Sequence, residues 1–297
     1  MAKNVVVFGD SVTWGQGFHP EQKFAQQVAS TLSAQLSMHA HSGATIGVNN
    51  TESGSCPPEA PRHTPTILQQ VATNTDDPGR AELVIVNGGI NDVSVQYILN
   101  PITPDDGLVS KVKQYCYNDM VILLNAVIAR FEHPDTKIVV TSYFPIFSPK
   151  SDFRYVLQYL AHGLFLAPSP EFASRAEQEM FAIRSVELAM LFWRESRKQL
   201  QAAVNSIGSS RVRFADVPFT EDNSMFAPKA WLFNVHLEGG KLVAEDPLAE
   251  SRKADCAICH ANDPLPFQRM GCNIASAGHP NFAGADAFAS AILSVAN

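Results

Sequence analysis

The sequence lacks long apolar runs and an excess of positive charge. No run approaches the roughly 18 apolar residues of a membrane-spanning helix. The 22 basic residues are outnumbered by 29 acidic ones and form no basic cluster, which argues against nucleic acid as a partner. Internal repeats and low-complexity tracts are missing as well. With 45% hydrophobic and 17% charged residues over 297 positions, the composition is that of a globular protein with a large core.

We also expect no secretory signal peptide in the sequence as given, because the first predicted strand begins within a few residues of Met1. We therefore expect either a cytoplasmic protein or an exported one whose targeting segment has been replaced. The residues favour neither localisation, and they indicate no oligomeric state.

Cysteine is scarce, with five residues in the chain. The odd number leaves at least one cysteine unpaired in any disulfide scheme. Cys116 falls in a predicted helix and is expected to be a buried core thiol. Three of the others, Cys256, Cys259 and Cys272, lie close together in the last part of the chain.

The most informative stretch lies near the start of the chain. Residues 5–8 are β-branched or aromatic and lead directly into Gly9-Asp10-Ser11. A short apolar run that ends at a glycine predicts a strand buried on both faces of a parallel sheet. Ligands bind beyond the carboxyl ends of such strands, so Ser11 is predicted to lie where a site forms.

Apolar strand patterns and helical patterns alternate along the chain. The predicted strands are residues 5–8, 35–41, 83–87, 137–143 and 211–215. Residues 20–33, 107–131 and 282–295 have helical spacing. This alternation predicts an α/β fold, a three-layer α/β/α sandwich around a parallel five-stranded sheet of flavodoxin-like type. We expect a single domain over residues 1–297.

Two segments exceed what this fold needs. Residues 150–208 predict a helical insertion, with an apolar cap at 150–168 and then a long helix that starts at Ser169-Pro170 and ends at Gly208. The apolar side of the cap is expected to line an acyl pocket. Residues 217–278 are predicted to be a loop-rich insertion.

Four candidate site residues follow predicted strands or precede the last helix: Ser11, Gly43, Asn91 and His279. Parallel topology brings such positions to one edge of the sheet. Together they supply a hydroxyl nucleophile, a backbone donor, an amide donor and an imidazole base, which are the groups that acyl transfer requires.

The surrounding motifs resemble those of the SGNH (GDSL-type) hydrolase family. They are, in chain order, 9–11 (Gly-Asp-Ser), 42–45 (Ser-Gly-Ala-Thr), 89–92 (Gly-Ile-Asn-Asp) and 279–281 (His-Pro-Asn). The resemblance implies that Ser11 is the nucleophile and His279 the general base. It also implies an oxyanion hole formed by the N–H groups of Ser11 and Gly43 and by the Asn91 amide. No metal and no organic cofactor are implied.

The chain departs from the family at one position. The family usually has an aspartate three residues before the histidine, where this chain has Ser276. We favour a Ser–His dyad in which the side chain or carbonyl of Ser276 orients His279. The alternatives are a carboxylate from elsewhere, such as Asp286 or Asp263, or an impaired enzyme. Asp10 and Asp92 are expected to brace turns by accepting backbone hydrogen bonds.

The cysteine-rich segment has three interpretations. Cys256-Ala-Ile-Cys259-His260 matches a c-type haem attachment pattern, but no second axial ligand is indicated. Cys256, Cys259 and Cys272 would make a structural zinc site with His260 or His279, of which His260 is favoured because His279 would then be lost as the base. A disulfide such as Cys259–Cys272 is the third interpretation, favoured if the protein is exported, and free thiols are expected if it is cytoplasmic.

Three residues near the nucleophile and oxyanion loops are candidates for substrate binding: Trp14, Phe18 and His41. Trp14 and Phe18 either form a wall of the pocket or pack the loop after Ser11. His41 precedes Ser42-Gly43 and either lines the site or lies at the surface.

The sequence therefore predicts a carboxylic ester hydrolase that works through a serine acyl-enzyme. The apolar insertion and 18 phenylalanines favour a lipase, phospholipase or lysophospholipase, with transient contact to a membrane or micelle. The alternatives are a carbohydrate acetylesterase with a more polar cleft, or a catalytically weakened binding protein. The expected partner is a small-molecule or lipid ester.

Overall fold

The central sheet has five parallel strands, as predicted. The computed structural model describes residues 3–50, 52, 54, 56–162, 174–261 and 266–296, without the side chains of 266–268. The strands are Asn4–Phe8 (β1), Gln35–Met38 (β2), Ala81–Val86 (β3), Lys137–Thr141 (β4) and Val212–Ala215 (β5). They lie in the order β2-β1-β3-β4-β5, and each neighbouring pair is parallel.

Strand β1 is at the centre of the core. Val5, Val6, Val7 and Phe8 are fully buried, because helices cover both faces of the sheet. Each of these side chains removes enough apolar surface from water to contribute about 2 kcal/mol. Burial on both faces explains the unbroken apolar run, which would otherwise alternate with polar residues.

Helices cover the sheet on two sides. One layer contains Phe24–Thr31 (α2) and Phe282–Ala296 (α12), whose Phe24 and Phe288 rings stack with centroids 5.0 Å apart. The other layer contains Ile67–Thr73 (α3), Met120–Arg130 (α7) and Arg175–Ile207 (α9). This is the predicted three-layer sandwich.

The connections carry shorter helices. These are Ser11–Trp14 (α1), Ile90–Val93 (α4), Val95–Leu99 (α5) and Asp105–Lys113 (α6). The helix predicted over 107–131 begins earlier, at Asp105, and is interrupted by a π-helical segment, Gln114–Asp119, before α7. The first turn of α6 contains Asp105 and Asp106, whose negative charges complement the helix dipole.

The first insertion is helical, but its long helix starts later than predicted. Phe153–His162 (α8) precedes α9, which begins with a capping box formed by its N-cap Ser174 and by Glu177 of the first turn, and not at Ser169-Pro170. Its end at Gly208, in the left-handed conformation with φ of 66°, is as predicted. Residues 163–173, which include part of the expected apolar cap, lie outside the described residues.

The second insertion is only partly loop-like, because it also contains regular elements that the sequence analysis did not predict. It contains an antiparallel hairpin of Val235–Glu238 (β6) and Lys241–Ala244 (β7), followed by the helices Ala249–Cys259 (α10) and Pro266–Asn273 (α11). Gly239 and Gly240 form the turn with φ of 56° and 77°, values that glycine adopts without strain. A Gly-Gly pair between apolar runs is a hairpin signal that the sequence prediction overlooked.

Two disulfides tie the second insertion together. Cys56 pairs with Cys259, and Cys256 pairs with Cys272, so the expected Cys259–Cys272 pairing was wrong. With these sulfurs bonded to each other, no thiolate is left for the zinc or haem interpretations. Cys116 is a free, fully buried thiol, and burial raises its pKa.

Within the described part of the chain, no helix combines the length and the apolar character needed to span a bilayer.

Candidate active site

Ser11 lies where β1 turns into α1. The intervening Gly9 has φ of 143°, and a Cβ there would lie 2.6 Å from the carbonyl oxygen of Asn87. Gln70 holds the turn, since its amide accepts from the Gly9 N–H at 2.9 Å and donates to the Gly9 carbonyl at 3.0 Å. Asp10 caps α1 by accepting from the Val12 N–H at 2.9 Å. Ser11 is therefore the first residue of a fixed helical turn.

His279 lies beside Ser11, as the sequence predicted. Its Nε2 is 2.7 Å from the Ser11 Oγ, a hydrogen bond between residues 268 positions apart. The histidine loop is anchored by antiparallel pairing, because the Phe233 N–H donates to the His279 carbonyl at 2.8 Å and Leu232 bridges Pro280. The hydroxyl and the imidazole thus have the contact that nucleophile activation requires.

Gly43 and Asn91 lie at the same pocket as Ser11 and His279. Gly43 has φ of 78°, and a Cβ there would lie 2.5 Å from the backbone nitrogen of Arg62, so only glycine fits. The Asn91 side-chain amide donates to the Ala44 carbonyl at 3.0 Å, which leaves its second N–H for another acceptor.

Two buried aspartates hold the loops around these residues. Asp10 accepts from the Tyr143 hydroxyl at 2.7 Å, and the same hydroxyl accepts from the Ile90 N–H at 3.1 Å. Asp92 accepts from the Ile46 N–H at 3.1 and 3.0 Å. Burial raises the pKa of Asp10 to about 6 and that of Asp92 to about 7. Both therefore brace backbone turns, as expected, and Asp92 fastens the loop after Gly43 to the turn that carries Asn91.

The pocket above Ser11 has two parts. The larger part has a volume of about 480 Å³, and a smaller cavity of about 50 Å³ adjoins Ser11 and Asn91. Beside the four site residues, the larger part is lined among others by His63, Val95, Tyr159, His260 and Ile274. The smaller cavity is lined among others by Val12, Ile90, Phe144, Ile146 and Tyr159. Tyr159 of α8, in the first insertion, lines both parts.

The sequence profile of the GDSL-like lipase/acylhydrolase family matches residues 7–165, just over half of the chain. The chain belongs to this family. Its fold is that of the SGNH hydrolases. No curated protein sequence matches the chain.

Several solved structures resemble this GDSL-like hydrolase. A carbohydrate esterase family 2 enzyme with a carbohydrate-binding domain, from Corynascus thermopiles (Myceliophthora fergusii), is 18% identical, with a TM-score of 0.42 over 73% of this chain and 56% of the other. Phospholipase A1 from Streptomyces albidoflavus is 15% identical, with a TM-score of 0.47 over 80% and 90% of the two chains. The lipase Lip_vut3 from a goat rumen metagenome is 13% identical, with a TM-score of 0.47 over 99% and 97%. The hydrolase spans little more than half the length of the first of these.

The residue at the family's usual aspartate position, Ser276, makes no side-chain hydrogen bond to the imidazole ring of His279. Its buried hydroxyl donates to Asp246, and its carbonyl accepts from the backbone N–H of His279 at 2.9 Å. The Nδ1 atom of His279 is buried and has no hydrogen-bond partner among the described residues. Asp286, an alternative orienting group, is exposed on α12, and Asp263 lies outside the described residues.

Electrostatics lower the pKa of His279 to about 4. Loss of hydration is the largest cause, and the positive charge of Arg252 is the second. The carbonyls of Ala277 and Ser276 and the charge of Asp246 act in the opposite direction. His279 is therefore neutral at neutral pH, the form in which Nε2 can accept a proton.

A buried network of charged groups lies behind His279, and the sequence did not predict it. Arg252 of α10 is fully buried and donates to Asp246, to Glu59 at 3.0 Å and to the Asn273 carbonyl at 3.1 Å. Glu59 also accepts from the Gly17 N–H at 3.0 Å. The network joins three parts of the molecule: the segment that follows Ser11, the second insertion, and the turn that precedes His279. No spacing pattern signals it, since its members come from three distant parts of the chain.

The predicted substrate residues lie elsewhere than expected. Trp14 faces away from the pocket: its indole N–H donates to Glu59 at 2.8 Å, and the Lys23 ammonium lies 3.0 Å from its ring centroid. Phe18 is buried against the rings of Phe233 and Phe282. These side chains pack the loop after the nucleophile, which was the alternative interpretation.

His41 is neither a pocket residue nor a surface residue. It is almost fully buried, and its ring nitrogens lie 2.7 Å from the Ser42 carbonyl oxygen and 3.1 Å from that of Cys56. His41 therefore supports the loop that carries Gly43. Across the described residues, no cluster of His, Cys, Asp and Glu is arranged to hold a metal ion.

Proposed function

We propose that this hydrolase cleaves carboxylic esters through a covalent acyl-enzyme on Ser11. The observation that supports this most directly is the 2.7 Å hydrogen bond between the Ser11 Oγ and the His279 Nε2 at the floor of an open pocket. His279 takes the proton as Ser11 attacks the ester carbonyl, and then gives it to the leaving alcohol. Water hydrolyses the acyl-enzyme by the same steps in reverse.

The negative charge that develops on the carbonyl oxygen would be stabilised by three donors. These are the backbone N–H groups of Ser11 and Gly43 and the second N–H of the Asn91 amide. The glycine-only geometry at Gly43 and the bond from Asn91 to Ala44 hold two of these donors in place before substrate binds. Such preorganised donors are usually the largest contribution to acyl-transfer catalysis.

The shape of the pocket favours a short acyl group. With the carbonyl oxygen at the proposed oxyanion hole, the apolar cavity of about 50 Å³ is where the acyl chain would lie. A cavity this small and mostly apolar suits a short acyl chain. The alcohol part would then occupy the larger part of the pocket, which His63 and His260 also line.

A longer acyl chain is the second candidate, in keeping with the lipid-ester prediction from the sequence. The larger part of the pocket has an apolar wall formed by Val95, Tyr159 and Ile274, against which a chain could pack. In that orientation the substrate is a lipid ester, and the alcohol is the small group.

Hydrolysis of p-nitrophenyl esters from acetyl to palmitoyl distinguishes these candidates and tests the mechanism. We expect the highest kcat/KM between acetyl and butyryl, and loss of turnover in Ser11→Ala and His279→Ala. Ser294→Ala, which removes an exposed hydroxyl of α12, should retain wild-type rates. An optimum at octanoyl or longer would favour the lipid ester, and an active Ser11→Ala variant would refute the acyl-enzyme.

We also propose that the protein works in an oxidising compartment. The support for this is the pair of disulfides, since such bonds are rare in reducing cytoplasm. Unreduced, denatured protein from an oxidising host should show a single free thiol, that of Cys116. Five free thiols under these conditions would contradict the proposal.

A further inference from the structure

The turn before His279 contains a hydroxyl with an unusual environment. Ser276 is fully buried, and its hydroxyl donates to Asp246. A Cβ on Gly17, in the segment after the nucleophile, would lie 3.0 Å from the Cβ atoms of both Asp246 and Ser276. The pair is therefore packed between the nucleophile segment and the histidine loop.

The charge state of Asp246 fixes the direction of this hydrogen bond. Asp246 accepts from the Arg252 guanidinium as well as from Ser276, and an ionised carboxylate can only accept. The Ser276 hydroxyl must therefore be the donor to Asp246, which leaves its oxygen lone pairs available as acceptors.

His279 needs such an acceptor during catalysis. Once Nε2 has taken the Ser11 proton, the imidazolium carries an N–H on both nitrogens. In the present structure the buried Nδ1 makes no hydrogen bond of acceptable geometry within the described residues: the carbonyls of Ser276 and Ala277 lie near enough to raise the pKa of the ring, but neither is aligned as an acceptor. Leaving a charged donor unpaired in a buried position would oppose proton transfer.

We propose that Asp246 is a positioning residue for His279 and acts through the Ser276 hydroxyl, in a chain Ser11–His279–Ser276–Asp246. The proposal rests on the proposed acyl-enzyme mechanism. The Nδ1–H donates to the Ser276 oxygen as the imidazolium forms. Only one proton moves, from Ser11 to Nε2 and then to the leaving alcohol, while Ser276 keeps its proton and Asp246 stays ionised. Catalytic hydrogen bonds are often longer in the free enzyme and shorten in the transition state.

Arg252 determines how the proposed hydrogen-bond chain affects His279. Its positive charge lowers the pKa of His279, whereas the negative charge of Asp246 raises it. The effect of the Asp246 charge on the pKa of His279 is therefore largely cancelled by Arg252. What Asp246 contributes is the orientation and hydrogen bonding of the imidazole. This differs from a dyad in which a backbone carbonyl alone orients His279, because a carbonyl dyad does not need the Ser276 side chain.

Single and double substitutions separate these two arrangements. We expect Ser276→Ala and Asp246→Asn each to lower kcat by about ten- to a hundredfold with little change in KM. The double variant should lose no more than either single variant, because the substitutions interrupt the same chain. Ser185→Ala is the matched control, since it removes an equally buried hydroxyl, one that donates to the Leu99 carbonyl, and should leave kcat unchanged.

A rescue variant adds a readout that a purely structural role would not change. Ser276→Asp combined with Asp246→Asn places a carboxylate beside Nδ1 and a neutral amide behind it. We expect kcat within tenfold of wild type and an acidic limb of kcat/KM shifted upward by at least one pH unit. Rates are normalised to the fraction of molecules labelled by a fluorophosphonate, so that partial unfolding does not mimic a catalytic defect.

The proposal is wrong if Ser276→Ala and Asp246→Asn keep wild-type kcat and if the rescue variant leaves the acidic limb in place. A carbonyl-oriented dyad would then account for His279. The proposed mechanism fails separately, by continued turnover of Ser11→Ala. Silent Ser276 variants combined with an inactive Ser11→Ala variant would overturn this inference alone.

Discussion

Ser11 and His279 are 268 positions apart in the chain, and a 2.7 Å hydrogen bond joins their reactive atoms. The contact forms because β1 and the loop before α12 end at the same edge of the sheet. The bond supplies the nucleophile with a base, while the other nitrogen of that base has no partner among the described residues.

The pH dependence of turnover should reflect the environment of His279. Burial and Arg252 lower the pKa of the imidazole to about 4, so the base is neutral above that pH and protonated below it. We expect kcat/KM for acetyl ester to be constant from neutral pH down to about pH 5. It should fall about tenfold per unit below pH 4, because an imidazolium cannot accept the Ser11 proton.

Circular dichroism across the same pH range shows whether loss of activity precedes loss of fold. If kcat/KM instead began to fall between pH 6 and 7, where an unperturbed histidine titrates, the result would contradict the described environment of His279.

Arg252 should be essential for stability. Arg252→Met leaves Asp246 and Glu59 buried without their shared cation, so we expect the free energy of unfolding to fall by about 3–5 kcal/mol. Arg197→Met is the matched control, because Arg197 pairs with Asp216 and is 52% exposed. It should cost less than about 1 kcal/mol. Urea denaturation of both variants measures the difference. Equal losses in the free energy of unfolding would show that the buried network does not stabilise the protein more than a surface ion pair does.

Asn91 should contribute to kcat more than to binding. Asn91→Ala removes the proposed oxyanion donor and the bond to Ala44, so we expect kcat to fall by about 10²–10³, with KM nearly unchanged. Asn125→Ala is the control, since this exposed amide of α7 donates only to the Val121 carbonyl among the contacts described. Single-turnover kinetics would reveal a loss of the chemical step. A wild-type acylation rate in Asn91→Ala would exclude the donor role.

Ile146 should limit acyl length. It is buried at the wall of the 50 Å³ cavity, and Ile146→Ala opens that wall. We expect the chain-length optimum for p-nitrophenyl esters to move upward by about two carbons, with a stability cost of about 2–4 kcal/mol. Ile122→Ala, at an exposed position of α7, should leave the optimum in place. An unchanged optimum in Ile146→Ala would place the acyl chain in the larger part of the pocket.

The sheet and the positions of Ser11, Gly43, Asn91 and His279 were predictable because each depends on local signals. A fully buried parallel strand needs a continuous apolar run, and the turn that follows it needs glycine. These requirements appear as short motifs, and parallel topology then brings their ends to one edge. The family match over residues 7–165 agrees with the family identified from those motifs.

The features that the sequence did not reveal depend on contacts between distant segments. Arg252 has no local pattern that marks it as buried, since an arginine on α10 would ordinarily be exposed. Its burial requires Asp246, just before α10, and Glu59, which is 193 positions away. The partner of Cys259 is 203 positions away, so spacing alone favoured the wrong, nearer cysteine. For Trp14, the closeness to Ser11 in the chain left pocket wall and loop packing as open alternatives, and helical geometry directs the side chain toward Glu59.

Direct detection of the acyl-enzyme tests the central claim. Rapid quenching of the enzyme with p-nitrophenyl butyrate, followed by peptide mass spectrometry, should show one butyryl group on the peptide that contains Ser11. The release of p-nitrophenol should show a burst of one equivalent per active enzyme molecule, and both signals should vanish in Ser11→Ala. Turnover without any acylated peptide, or acylation at another residue, would contradict the account.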